Sequence, residues 1–265
     1  MNWALALYAS ELKRAFSYRV EFWLSFLGHV GAQFTVAFFL WKSVYSAGSV
    51  TTLGGFSFTT IMAYYVLAPL MERVTQGPEM GEVSRDIYEG GLNRYLVYPI
   101  SFFGAKAITH LAHATLAAIQ LVLFAGLIIP VLGLGGEIHW AGVAWVLPLL
   151  LAGIAVQFTL STCMELIAFW ADNVWSLSVM MRMVGHLVGG SLVPLAMFPE
   201  WAQVWLKGLP FYSYIGLPSE MVLGHAHARE ALQGLLISGI WATGLGLLSV
   251  WIWRRGLLRY SGVGM

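Results

Sequence analysis

The sequence predicts an all-α polytopic membrane protein, built as one domain around six transmembrane helices. Three observations carry that expectation. Apolar residues make up 58% of the 265-residue chain against 10% charged, the mean hydropathy is +0.73, and six apolar stretches are long enough to cross a bilayer. A soluble domain carries about 25% charged residues to keep its surface in water, so most of this surface must face something else. The net charge is +1, so no excess of either sign points to nucleic acid. The 12 Trp and 11 Tyr suit the bilayer interface, which favours rings with one polar edge. Cys163 is the single cysteine, so no disulfide framework exists and no redox compartment can be read.

The chain opens, over residues 1–20, with Leu5, Tyr8, Leu12, Ala15 and Phe16 at helical spacing among Glu11, Lys13, Arg14 and Arg19. That mixture predicts a helix lying in the inner interface; a plain extension of the first span is the alternative. Charges this early, with no short apolar run ending at a small-residue site, do not resemble a cleaved signal. A span needs about 20 apolar residues at 1.5 Å each. The six stretches are roughly 22–45, 56–71, 100–134, 140–170, 174–198 and 232–253. The third and fourth exceed the need and are expected to tilt or to extend beyond the membrane. Gly28, Gly31, Pro148 and Pro194 inside these stretches are tolerable because neighbouring helices can satisfy the freed backbone.

Basic residues set the orientation. With the N-terminus inside, Lys13, Arg14, Arg19, Arg73, Arg85, Arg94, Arg254, Arg255 and Arg259 are cytoplasmic. Only Lys42, Lys207 and Arg229 lie outside, while Lys106 and Arg182 fall within helices. The bias places both termini in the cytoplasm. Connectors at 46–55 and 133–139 are short and glycine-rich. The inner segment 72–99 concentrates charge in Glu72, Arg73, Glu79, Glu82, Arg85, Asp86, Glu89 and Arg94. The outer segment 199–229 is amphipathic and aromatic, with Trp201, Trp205, Phe211, Tyr212 and Tyr214. It predicts short helices or a re-entrant turn between spans five and six.

Two constellations compete for function. A short helix over 83–89, bounded by Gly81 and by Gly90 and Gly91, would offer Arg85, Asp86 and Glu89 to a cytoplasmic partner. The plainer reading is a solvated loop whose charges fix topology. Charges inside spans cost roughly 2.5–3.5 kcal/mol on insertion scales, which singles out Glu165 and Arg182. Both lie several residues from the inner turn at 171–174, where they either pair or contact a substrate pathway.

His110 and His113 share a helical face at i,i+3, a spacing metal sites use. No third ligand lies nearby in sequence, although Glu165 is available in space, and packing histidines explain the pair more simply. His225 and His227 form a weaker pair in the outer segment. No G-x-S-x-G elbow or H-E-x-x-H helix is present, and nothing marks Glu165 and Asp172 as a catalytic carboxylate pair. An intramembrane enzyme and an ion-coupled carrier or channel are the rival classes. A carrier would favour an inverted repeat with broken helices, and the sequence shows no convincing one.

Three segments on this plan resemble the ABC type 2 transporter permease family in its six-span bacterial branch. They are Arg85-Asp-Ile-Tyr-Glu-Gly-Gly-Leu-Asn-Arg-Tyr-Leu-Val-Tyr-Pro99, Gly189-Gly-Ser-Leu-Val-Pro-Leu-Ala-Met-Phe-Pro199 and Trp253-Arg-Arg-Gly-Leu-Leu-Arg-Tyr260. Phe169-Trp170 and the stretch from Pro218 to Gly224 are weaker echoes. In order and placement they cover essentially the whole chain. The resemblance implies a bacterial inner-membrane exporter subunit, paired with itself or a related permease, whose pathway takes a hydrophobic or amphiphilic substrate. It also implies a separate cytoplasmic ABC ATPase holding the ATP and Mg, because this chain has no G-x-x-x-x-G-K-[ST] phosphate loop. This chain is expected to carry no cofactor of its own and to be no enzyme. The coupling role would fall on Arg85, Asp86, Ile87, Tyr88, Glu89 and Gly90.

Overall fold

The computed structural model describes residues 3–17, 19–48, 51–78, 81–97, 100–171 and 173–260. Glu79, Pro99 and Asp172 lie outside the described residues, as do the side chains of Ala15, Phe16 and Arg19. The helices are α1 (Trp3–Ser17), α2 (Arg19–Gly48), α3 (Phe58–Gln76), α4 (Glu82–Tyr88), α5 (Asn93–Val97), α6 (Phe102–Val131), α7 (Trp140–Leu166), α8 (Trp175–Val188), α9 (Glu200–Gly208), α10 (Pro210–Tyr214), α11 (Gly216–Val222) and α12 (Ala228–Leu257). A two-residue hairpin, β1 (Thr52–Leu53) and β2 (Phe56–Ser57), joins α2 to α3. Gly54 and Gly55 turn it at φ 57° and 87°, the left-handed backbone that tight hairpins need and that side chains resist.

Among the described residues, three helices are long and apolar enough to cross a membrane: Phe102–Val131, Trp140–Phe169 and Ala228–Leu257. Their outer faces carry Val122, Leu123, Leu127, Leu147, Leu151, Leu236, Ile240, Leu247 and Trp251, all exposed. The other stretches differ from the sequence reading in instructive ways. The one at 174–198 is not a single helix. α8 covers 14 residues and ends at Val188, a length of about 21 Å against a hydrocarbon core of about 30 Å. Gly190, at φ 91°, breaks the helix, and a 3-10 turn over Leu195–Met197 follows. The second stretch runs on past its expected end, so that Glu72 lies within α3 rather than in the inner segment.

α3 is the central element. Every residue from Thr60 to Glu72 is buried, because α2, α6, α7 and α11 pack around it. Its start is capped by Ser57, whose Oγ accepts the Thr60 N–H at 3.1 Å. The Tyr64 hydroxyl donates to the Gly190 carbonyl at 2.8 Å, and the Tyr65 hydroxyl donates to the Leu192 carbonyl. The chain break after α8 can therefore sit inside the protein, because α3 satisfies carbonyls that no helix serves there. α10 and α11 are buried at every residue and lie against α3, α7 and α12. α9 projects Trp201, Val204 and Trp205 outward.

Small residues set the closest approaches. α7 meets α12 where the Cys163 thiol lies 3.0 Å from the Ser249 Oγ, in the manner of membrane helices that pair through small and polar side chains. At Gly142 the backbone of α11 comes so near that a Cβ would overlap the Met221 carbonyl. Gly142→Ala should therefore destabilise the protein by about 1–3 kcal/mol, seen as a lowered Tm in detergent. Gly126→Ala, which faces open space, should leave Tm unchanged.

Candidate functional site

At one end of the molecule, α4 begins after Gly81, which has no side chain to cap it. The first amides of a helix lack intrahelical acceptors, and here the acceptor comes from another element. Glu165, in the last turn of α7, places Oε2 at 3.1 Å from the Gly81 N–H, 2.7 Å from that of Val83 and 3.4 Å from that of Ser84. A carboxylate in this position makes charge-assisted bonds and complements the positive end of the helix dipole. The Ser84 hydroxyl adds a bond back to the Gly81 carbonyl at 3.1 Å.

The apolar face of α4 seals the arrangement. Val83 and Ile87 are buried in a cluster with Leu92, Phe102, Leu166, Phe169 and Val174. The Tyr88 hydroxyl donates to the Ala171 carbonyl at 2.8 Å. Asp86 Oδ2 lies 2.6 Å from Arg94 and 3.7 Å from Lys106 of α6, and Lys106 also reaches Glu82 at 3.2 Å. Burial lowers the pKa of Arg94, but the bond and charge of Asp86 together with Tyr95 outweigh it, and the net shift is upward. Gly90 leaves the helix at φ 77°. Of the six residues that the sequence marks for coupling, then, Asp86, Ile87 and Tyr88 face the body of the protein and Gly90 makes a turn. Arg85 and Glu89, four apart and on one face, are the exposed pair.

Glu165 and Arg182 do not pair. The Glu165 carboxylate is engaged by α4, and Arg182 is exposed on α8. Among the described residues the ion pair deepest in the helical core is instead Glu72 with His186, Oε2 to Nδ1 at 3.1 Å, joining α3 to α8. Gln76 donates to the other Glu72 oxygen at 3.3 Å, Arg73 donates to Gln120 at 3.0 Å, and the Tyr214 hydroxyl donates to Gln157 at 3.1 Å. Sequence reasoning missed this layer because Glu72 and Arg73 look like the start of a charged loop and His186 like a lone histidine. A third buried carboxylate, Glu220 of α11, accepts the Tyr212 hydroxyl at 2.6 Å.

Three other histidines, His110, His225 and His227, have structural tasks. His110 Nε2 lies 3.0 Å from the Thr75 carbonyl, with its ring edge-on to Phe158. His113 is half-buried on the same helix. Among the described residues, no group of three His, Cys, Asp or Glu side chains is arranged to hold a metal ion. His225 stacks on Phe56 at 4.3 Å, and burial lowers its pKa. His227 closes a capping box at the start of α12, its N–H donating to Glu230 at 2.6 Å.

A buried pair that loses one partner leaves the other stranded, at a cost of about 3–5 kcal/mol. His186→Leu should accordingly reduce thermal stability sharply. The double variant Glu72→Leu with His186→Leu should recover much of it, measured as Tm and as the monodisperse fraction on gel filtration. A double variant as unstable as the single one would show that the pair is not what holds α8.

A family model described as ABC-2 family transporter protein matches residues 32–264 of the chain. No curated protein matches it.

Proposed function

The chain belongs to the ABC-2 transporter family, and on that premise we propose that it is the permease subunit of an ATP-driven exporter, engaging a separate ABC ATPase through α4. The observation that carries this reading is the build of α4: a short helix braced on three sides, with Arg85 and Glu89 left exposed at the inner end. A bound subunit can push only on an element that does not yield, and α4 is tied to α6, α7 and the segment at 171. ATP and Mg would reside on the ATPase, and this chain would contribute the pathway.

The same reading assigns six crossings, with α2, α3 and the short α8 joining α6, α7 and α12. The basic residues favour both termini in the cytoplasm, and the membrane would be the inner membrane of a bacterium. α1 would lie at the inner interface, and its packing along α6, through Tyr8 to Thr115 at 2.9 Å, supports a place beside the bundle. α9 would rest in the outer interface on Trp201 and Trp205 while α10 and α11 re-enter the bundle. A second copy or a related permease would complete the pathway, and the aromatic, Met-rich composition favours a hydrophobic or amphiphilic substrate.

Reversing charge at the exposed pair, Arg85→Glu with Glu89→Lys, should leave the protein inserted and as stable as before, since both side chains are in water. It should weaken co-purification of the ABC ATPase by roughly 2–5 kcal/mol, the cost of breaking desolvated charge pairs at an interface. Lys207→Glu on the outer side should spare it. Undiminished ATPase recovery at matched expression would remove α4 from the interface.

Orientation has its own test. In a Cys163→Ala background, Gly48→Cys, Gly135→Cys and Lys207→Cys should react with an impermeant reagent in intact cells, and Glu82→Cys should not. Outside labelling at position 82 would invert the topology and take the coupling surface with it.

A further inference from the structure

We infer that Glu165 is a positioning residue: it locks the register of α4 against α7, so that displacement of α4 is delivered to the inner ends of α7 and α12. The inference rests on the reading that α4 is the ATPase contact, but its first half concerns this chain alone.

The covalent connections of α4 cannot do this work. The chain reaches α4 through Gly77 at φ 69° and Gly81 at φ 121°, and leaves it through Gly90 at φ 77°. Each is a joint with little intrinsic stiffness. The apolar face of Val83 and Ile87 holds α4 down, yet apolar packing is non-directional and resists sliding poorly. Directional restraint comes from hydrogen bonds, and at the helix start three of them converge on a single atom, Glu165 Oε2. That atom sits on the last turn of a long span. The acceptor is a buried charge and the donors are backbone amides, so no rotamer change within α4 can release it.

From Glu165 the path onward is short. Leu166 ends α7, and a 3-10 turn over Ile167–Phe169 follows. The ring of Phe169 lies where a Cβ at Gly256 of α12 would have to be. Trp253 of α12 is 6.0 Å from the Phe169 ring and stacks on Phe102 of α6 at 4.1 Å. A push on α4 thus meets α7 through a charged cap, and meets α12 and α6 through interlocked rings.

Glu165→Gln keeps the shape of the side chain and removes its charge. In the purified full-length protein, hydrogen exchange at the Gly81, Val83 and Ser84 amides should speed up by roughly tenfold, the size expected for losing a charge-assisted cap. Exchange in the α7–α12 contact should be unchanged. With the ABC ATPase bound, in nanodiscs of phosphatidylethanolamine and phosphatidylglycerol, ATPase recovery should persist while stimulation of hydrolysis by the permease falls by a similar factor. Loss of amide protection with full stimulation would overturn the inference, because the cap would then be structural only. Unchanged protection would overturn it sooner. If Glu165→Gln accumulates poorly, Glu165→Asp keeps the charge and withdraws it by one carbon, and full stimulation in that variant would likewise refute the proposal. Failure of the ATPase to cross-link to α4 through Arg85→Cys, with Glu165 intact, would instead remove the coupling reading and leave the exchange result standing.

Discussion

A polar atom inside a bilayer has no water to bond with, and most of this architecture follows from that constraint. The chain breaks its helices after Val188 and again between α9, α10 and α11. It tolerates the first break because α3 brings Tyr64 and Tyr65 to the carbonyls of Gly190 and Leu192. α3 can supply such groups only by being surrounded, since a helix carrying Tyr64, Tyr65, Glu72, Arg73 and Gln76 would be costly against lipid. The long apolar helices α6, α7 and α12 then form an outer wall whose exposed faces are almost wholly hydrocarbon. An apolar outer face around a core that also holds buried polar groups sets it apart from a soluble bundle, and the low share of charged residues points to such a surface.

What the sequence conveys, it conveys through averages and punctuation. Uninterrupted apolar runs identify α6, α7 and α12, and the glycines at 81, 90 and 91 frame a short helix between charges. The stretch at 174–198 misleads because hydropathy averages across Gly189, Gly190 and Pro194 without registering that the backbone turns there. Glu72 misleads in the opposite sense. Beside Arg73 it looks like a water-facing boundary, whereas burial by four neighbouring helices makes it part of the core. The partner of Glu165 is the hardest to foresee. A side chain bonded to backbone amides some eighty positions away leaves no complementary residue to find, since every amino acid but proline offers the same donor.

The surroundings of α4 also separate two kinds of charge that look alike in the sequence. Asp86, Lys106, Glu82 and Arg94 neutralise one another within the chain and fix how α4 and α5 sit on α6. Arg85 and Glu89 take no part in those ion pairs. A charged segment whose internal valences are met, apart from one exposed pair on one face, is suited to a partner in a way that a merely solvated loop is not. The exposed pair carries both signs, so it would select a partner by geometry rather than by net charge.

Order is unevenly distributed across the molecule, and that unevenness bears on how a permease of this family would move. α4 is held by a charged cap, a tyrosine bond and an apolar cluster. α8 is held far more lightly. Only Ser178 and Gly185 along it are buried, while Trp175, Met180, Arg182 and Met183 face outward. Its main polar attachment is the single bond from His186 to Glu72, one helical turn beyond Arg182. Elements that rearrange are drawn from the weakly held end of a structure, and α8 adjoins the break that α3 stabilises through Tyr64 and Tyr65. Next to the packed ends of α7 and α12 against which α4 lies, α8 offers the least resistance. That is where a change of packing costs least, and where an exposed arginine in an apolar layer still lacks a partner within the described residues.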